Sequence, residues 1–157
     1  MALPPFQTLL DSHGRDIHRF LIANVGPVDA DDCWQETWLS ALRAYPSLKD
    51  ASNLRAWVFT IATRVALDDL RQKSRVAELP AELPAENGAE AARPAYEELE
   101  HLTGGLPPTE RAAVVLRYGY DLPYAEIGGA LGSSEEAARA AASSGVRRLR
   151  RTLERDT

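Results

Sequence analysis

The sequence predicts an all-helical protein: two small helical domains, an N-terminal bundle and a C-terminal helix-turn-helix, joined by a flexible linker. Three observations lead there. Apolar residues recur at spacings of three and four along both ends of the chain, the period of an amphipathic helix. No stretch carries the apolar–polar alternation of a strand. The middle segment, VAELPAELPAENGAEAARPAYEE, holds Pro80, Pro84 and Pro94 and lacks an apolar stripe, so it reads as an extended tether. On this reading residues 1–75 form the first unit, 76–95 the acidic linker and 96–157 the second unit.

The first helix is expected within residues 3–25, where Phe6, Leu9, Leu10, Ile17, Phe20 and Leu21 share a face. Gly26 and Pro27 break it. Asp29 is the expected N-cap of the next helix, with Asp31 and Asp32 beside the positive end of its dipole. In DADDCWQETWLSALRAY, Trp34, Trp38, Ala41, Leu42 and Tyr45 step by three and four and define a buried face. Cys33 occupies an apolar position that a buried thiol satisfies. PSLKDASN follows as a loop, with Ser52 as cap for a third helix. That helix, LRAWVFTIATRVALDDLRQKSR, is expected to bury Leu54, Trp57, Val58, Ile61, Val65 and Leu70 and to expose Arg55, Thr60, Arg64, Arg71 and Lys73.

In the second unit LPPTERAAVVLRYGYD gives a helix opened by Pro108 and ended around Gly119. PYAEIGGAL is a short helix, Gly132 a turn, and Ser133 with Glu136 a capping box for the last helix. In that helix Ala138, Ala142, Gly145, Leu149 and Leu153 should pack inward. Ala137, Ala140, Ala141 and Ser144 are then left on the opposite face, with Arg139 at its side.

Composition narrows the function. The longest aliphatic run, AAVVL, is far too short to span a bilayer, and the N-terminus has no basic segment leading into an apolar one. No membrane insertion and no signal peptide are expected. One cysteine suits a reducing compartment, and the expected location is the cytoplasm. His13, His18 and His101 lack metal-ligand spacing. No nucleophile–base pair or glycine-rich phosphate loop is present, so neither an enzyme nor a cofactor is expected. The net charge of −5 would argue against a nucleic-acid binder if it were spread evenly. It is not. Residues 1–75 carry nine acidic and nine basic side chains, residues 76–100 seven glutamates against Arg93, and residues 101–157 seven acidic and eight basic. The acidity belongs to the middle, and both flanks are free to present a positive face.

Three blocks in order carry a family resemblance. DADDCWQETWLSAL resembles the segment by which bacterial sigma factors bind the polymerase clamp. LRAWVFTIATRVALDDLR resembles the segment that melts and reads the minus-ten promoter element. LPPTERAAVVLRYGYDLPYAEIGGALG resembles the helix-turn-helix that reads the minus-thirty-five element. The short two-domain layout is similar to the extracytoplasmic-function group of the sigma-70 family. The resemblance implies a transcription initiation factor whose partners are core RNA polymerase, promoter DNA and an anti-sigma factor. It implies polymerase contacts from Asp32, Gln35, Glu36 and Leu39. It implies DNA contacts from Asn53, Arg55, Trp57, Thr60, Arg64, Arg71 and Lys73 in the first unit. In the second unit it implies them from Tyr124, Arg139, Ala140, Ala141, Ser144, Arg147 and Arg148. The glutamates of the linker, Glu78, Glu82, Glu86 and Glu90, would by the same resemblance lie in the polymerase channel that later holds RNA.

Two positions depart from the family pattern. Thr63-Arg64 stands where Arg-Asn is common, which bears on the minus-ten preference. The face of the last helix that would enter a groove is almost bare, where the family carries Thr, Ser and two basic residues. A bidentate base contact contributes about 1–3 kcal/mol of discrimination, and methyl groups offer no such contact. Three accounts remain open: binding through DNA backbone and shape, reading through Arg139 and water, or protein contacts in place of DNA. The alternative function is therefore a sigma-like regulator or adapter with weak or no sequence-specific DNA binding.

Overall fold

The computed structural model describes residues 3–77 and 103–155. The acidic tether, beyond its first two residues, lies outside the described residues. The first unit is three helices. Helix α1 (Phe6–Val25) buries Leu9, Ile17, Phe20 and Leu21. Gly26, at φ 85°, ends it, donating its N–H to the Ile22 carbonyl at 3.0 Å. Helix α2 (Pro27–Ala44) starts at once, with Gly26 as N-cap and Pro27 in its first turn. Asp29 is thus not the cap. Proline, having no N–H to satisfy and φ already helical, starts the helix three residues earlier. A short 3-10 turn (Tyr45–Ser47) leads to α3 (Leu54–Ala77). Its cap is Asn53, whose Oδ1 accepts the Ala56 N–H at 3.1 Å. Ser52, the expected cap, instead gives its own N–H to Asp50 at 2.9 Å.

Two buried faces differ from expectation by one step around the helix. On α2 the inward residues are Ala30, Cys33, Thr37, Trp38 and Ala41, and Leu42 is 51% exposed. On α3 the fully buried set is Val58, Phe59, Ala62, Thr63 and Ala66. Leu54, Trp57, Ile61, Val65 and Leu70 are only half-buried. The cause is that α3 packs against α1 and α2 on one side and against the second unit on the other. Its driest stripe is therefore the middle one. Trp57, Ile61 and Val65 border a groove instead.

In the second unit α4 (Pro108–Val114) passes into a five-residue π turn (Val115–Gly119). Helix α5 (Tyr124–Leu131) and α6 (Glu135–Arg155) follow, and α4 and α5 both pack on α6. Gly132, at φ 69°, makes the turn between α5 and α6, and Ser133 N–H bonds the Gly128 carbonyl at 2.8 Å. A Cβ on Gly128 would sit 2.9 Å from backbone atoms of Ser133 and Ser134. Because Ser133 is held by that turn, the cap of α6 is Ser134, whose Oγ accepts the Ala137 N–H at 3.1 Å. Ala138, Ala142 and Gly145 face inward as expected, whereas Leu149 is half-buried and Leu153 is 50% exposed. The helix overruns the described helices it packs on, so among the described residues its last turns find little to bury against.

The described parts of the two units share one apolar core, and α3 lies against α5. Tyr120 is the joint. Its ring meets Phe59 at 4.8 Å and Phe20 at 6.2 Å between centroids, and its hydroxyl bonds the Asp16 carbonyl at 3.2 Å. Arg111 secures the other end. Its guanidinium donates to the carbonyls of Thr103 (3.0 Å), Gly104 (2.8 Å) and Leu106 (3.1 Å) in its own unit, and to that of Asn24 across the joint.

Candidate protein- and nucleic-acid-binding surfaces

Helix α2 turns one mixed face outward. Asp32, Gln35 and Glu36 are exposed, and beside them Leu39 is 48% exposed. Leu42, three residues on, adds an exposed apolar side chain that the periodicity of the sequence had assigned to the core. The spacing of Leu39 and Leu42 was the signal, since two leucines three apart share a face. Beside this face runs a groove of about 770 Å³ between α2 and α3. Asp32, Cys33, Glu36 and Ser40 line one wall, and Trp57, Ile61, Arg64, Asp68 and Asp69 the other. Burial pushes the Cys33 thiol up to about 11, helped by the charges of Asp69, Asp32 and Glu36. Burial and the Asp32 charge also push the Asp69 carboxyl up, while burial pushes the Lys73 ammonium down.

The structure brings only some of the expected DNA-contacting side chains to open surface. In the first unit Arg64 is exposed at the mouth of the groove. Arg71 is ion-paired to Asp68, and Lys73 to Asp29 and Asp69. Thr60 is half-buried with its hydroxyl on the Ala56 carbonyl at 2.9 Å. Trp57 is half-buried beside Tyr45, their rings 6.0 Å apart. Thr63, one of the departures from the family pattern, is fully buried with its hydroxyl on the Phe59 carbonyl, so it has no access to DNA. Asn53 and Arg55 point across the joint: Asn53 Nδ2 donates to Glu126, and Arg55 donates to the Tyr120 carbonyl at 2.8 Å. The Arg55 guanidinium also lies 5.3 Å from the Phe59 ring centre.

In the second unit Ala140 is exposed and Ala141 half-buried. Ser144 donates to Glu110, and Arg148 is ion-paired to the same carboxylate at 2.9 Å. Arg147 stands exposed. The most organised feature centres on Tyr124. Arg139 lies 5.0 Å from its ring centre and Arg117 4.6 Å. Arg139 also reaches Glu135 at 3.5 Å. Arg117 had escaped notice because it belongs to the π turn and meets Tyr124 only through the fold. Among the described residues no cluster of histidine, cysteine and carboxylate side chains could hold a metal ion, and no helix is long and apolar enough to cross a membrane.

These surfaces sit in two recognised modules. Residues 9–76 match the sigma-70 region 2 family and residues 104–151 the sigma-70 region 4 family. The RNA polymerase sigma factor CarQ of Myxococcus xanthus is 31% identical over 161 residues, covering 97% of this chain and 91% of the relative. The ECF sigma factor SigX of Bacillus subtilis is 26% identical over 168 residues, covering 95% and 84%. Some relatives are longer: the chain spans 54% of SigE from Mycolicibacterium smegmatis, which is 30% identical over 141 residues and covers 83% of this chain. The solved sigma factor RpoE of Bartonella quintana, in complex with the anti-sigma factor NepR, shares the fold. Its TM-score is 0.77 at 21% identity, over 99% of this chain and all of that one. The chain belongs to the sigma-70 family of bacterial sigma factors, in the extracytoplasmic-function group. As such it is a promoter-directing transcription initiation factor and not an enzyme.

Proposed function

We propose that α2 is the polymerase-docking helix, with Asp32, Gln35, Glu36 and Leu39 at its centre and Leu42 beside them. The observation that carries this reading is the pairing of exposed carboxylates with two half-exposed leucines on one helix. A purely solvated face does not need the leucines, and a core face does not tolerate the acids. Arg64 and the α3 residues around it then meet single-stranded promoter DNA, while Arg139, Arg147 and Arg148 meet phosphates upstream. The chain works in the cytoplasm, where the polymerase is, and by analogy with the bound state of the RpoE relative it has an anti-sigma partner. Leu39→Asp in the full chain tests the docking face. Burying one leucine contributes about 1.5–3 kcal/mol, so capture of core polymerase should weaken at least tenfold, with helicity by circular dichroism unchanged. Equal capture by variant and parent would remove α2 from the interface.

A second reading, the adapter without sequence-specific DNA binding, is favoured by α6 alone, since Ala140 is bare and Ser144 is held by Glu110. A gel shift titrated with salt separates the two. A DNA-binding chain loses affinity steeply between low and moderate salt; an adapter has none to lose.

A further inference from the structure

The arginines of α6 are held in two different ways. Arg139 leans on the Tyr124 ring, a neutral partner, and its carboxylate neighbour Glu135 is 54% exposed. That carboxylate can turn to water, so Arg139 keeps its charge for an incoming anion. Arg148 has no such freedom. Its Nε lies 2.9 Å from Oε2 and 3.2 Å from Oε1 of Glu110, on the first turn of α4. The Glu110 side chain is only 13% exposed, and the Ser144 hydroxyl donates to its Oε1 as well. Ser144 and Arg148 stand four apart on one face of α6, so the carboxylate is gripped twice by the same helix. Gly145 lets the two helices come this close. A Cβ there would stand 3.4 Å from the Glu110 carbonyl oxygen and 2.5 Å from Val114, so a side chain would push α6 off the carboxylate.

From this we infer that Glu110 is an internal counter-ion that stands in for a DNA phosphate at Arg148 and so sets how strongly the second unit holds duplex DNA. The inference rests on the reading of Arg148 as a phosphate contact. Its physical basis is ion exchange. A free cation that meets a phosphate releases the salt ion condensed there, and affinity then falls with salt at a log–log slope of about 0.9 for each contact. Arg148 must first leave Glu110, and the bared carboxylate gathers a salt cation of its own. Release at the phosphate and uptake at the carboxylate nearly cancel, so the contact adds almost no salt dependence. The bared carboxylate also remains beside the DNA as a like charge. Glu110 thus mutes one arginine in the middle of α6 and shifts the grip towards the Arg139 end. A carboxylate that merely clamped α4 to α6 would affect stability and leave the salt slope alone.

Glu110→Gln keeps the size of the side chain and an acceptor for Ser144 while removing the charge. Binding of the full chain to a labelled duplex of mixed sequence is followed by fluorescence anisotropy between about 50 and 200 mM salt. Glu110→Gln should bind tighter than the parent at low salt, with a slope steeper by about 0.9, so that its advantage shrinks roughly threefold across that range. Arg148→Gln should leave the slope of the parent unchanged, yet remove the whole gain when combined with Glu110→Gln. A Glu110→Gln slope equal to the parent's, with helicity retained, would overturn the counter-ion. So would a slope lowered by Arg148→Gln in the parent, because Arg148 would then act as a free cation already. That second arm decides the matter should Glu110→Gln fail to fold, since the Arg148 side chain is 53% exposed. A parent that binds the duplex at no salt concentration removes the DNA-contact reading and the counter-ion with it, whereas binding with unshifted slopes removes the counter-ion alone.

Discussion

At the scale of single residues, burial decides what chemistry remains available. Cys33 sits among carboxylates under α3, and its thiol is pushed up to about 11. The thiolate is the reactive form, so at neutral pH Cys33 is held almost wholly as the unreactive thiol. Native protein should react with iodoacetamide far more slowly than protein in denaturant, with mass spectrometry following the single adduct; equal rates would mean the site is open. The reading of Cys33 as an apolar position was legible in part from DADDCWQETW: Ala30 and Thr37, three before and four after it, share its buried face, although Asp29 and Glu36 at the same spacings do not. The fate of the cations was less so. Lys73 and Arg71 look like free positive charges in the sequence, yet Lys73 meets Asp29 from another helix, and Arg71 meets Asp68 one turn back. Only the Lys73–Asp29 pair crosses helices and leaves no trace in spacing along one; the Asp68–Arg71 and Asp69–Lys73 pairs stand three and four apart on α3, and that spacing was the signal.

At the scale of elements, the turn between α5 and α6 carries the helix-turn-helix. Gly128 approaches the backbone of Ser133 and Ser134 so closely that a methyl group has nowhere to go. Its neighbours are carbonyl atoms fixed by the Ser133–Gly128 hydrogen bond, and they cannot rotate aside as a side chain would. Gly128→Ala should therefore cost about 1–3 kcal/mol of stability, the usual range for overpacking. Urea unfolding measures it, and a midpoint unchanged from the parent would mean the turn can open. Gly145 is packed more closely still, but against a side chain: a new Cβ there would meet a methyl group of buried Val114, which is stiff at χ1. Helices and their order were legible from periodicity and from the Gly-Pro stops. Caps were less so. Ser52 and Ser133 each stood one residue from the true cap and Asp29 three, since short polar residues cluster at helix starts and only backbone geometry selects among them. The faces of α2 and α3 slipped by one step for a different reason: α3 is enclosed from two sides, and one of those sides comes from the other unit.

At the scale of the whole molecule, the sequence describes two bundles, and the structure joins them through Tyr120. Nothing in LRYGYD marks the second tyrosine as the joint, because its partners Phe20 and Phe59 lie far away along the chain. A shared core should unfold as one cooperative step, with near- and far-ultraviolet signals changing together. Thermal unfolding of the parent should give a single transition. Glu126→Ala and Tyr120→Leu should split it into two, or lower one signal before the other. A single coincident transition in every variant would mean that the units depend on one another through contacts other than these.

The double contact on Tyr124 bears on the proposed DNA role of α6, whose groove-facing side carries few polar side chains. Long cations normally surrender much rotamer freedom when a ligand immobilises them. Arg117 and Arg139 have already given that freedom up, pinned against an aromatic ring before any ligand arrives. A phosphate meeting them pays little further ordering cost, so two pre-set guanidinium groups can grip as firmly as a larger number of mobile ones.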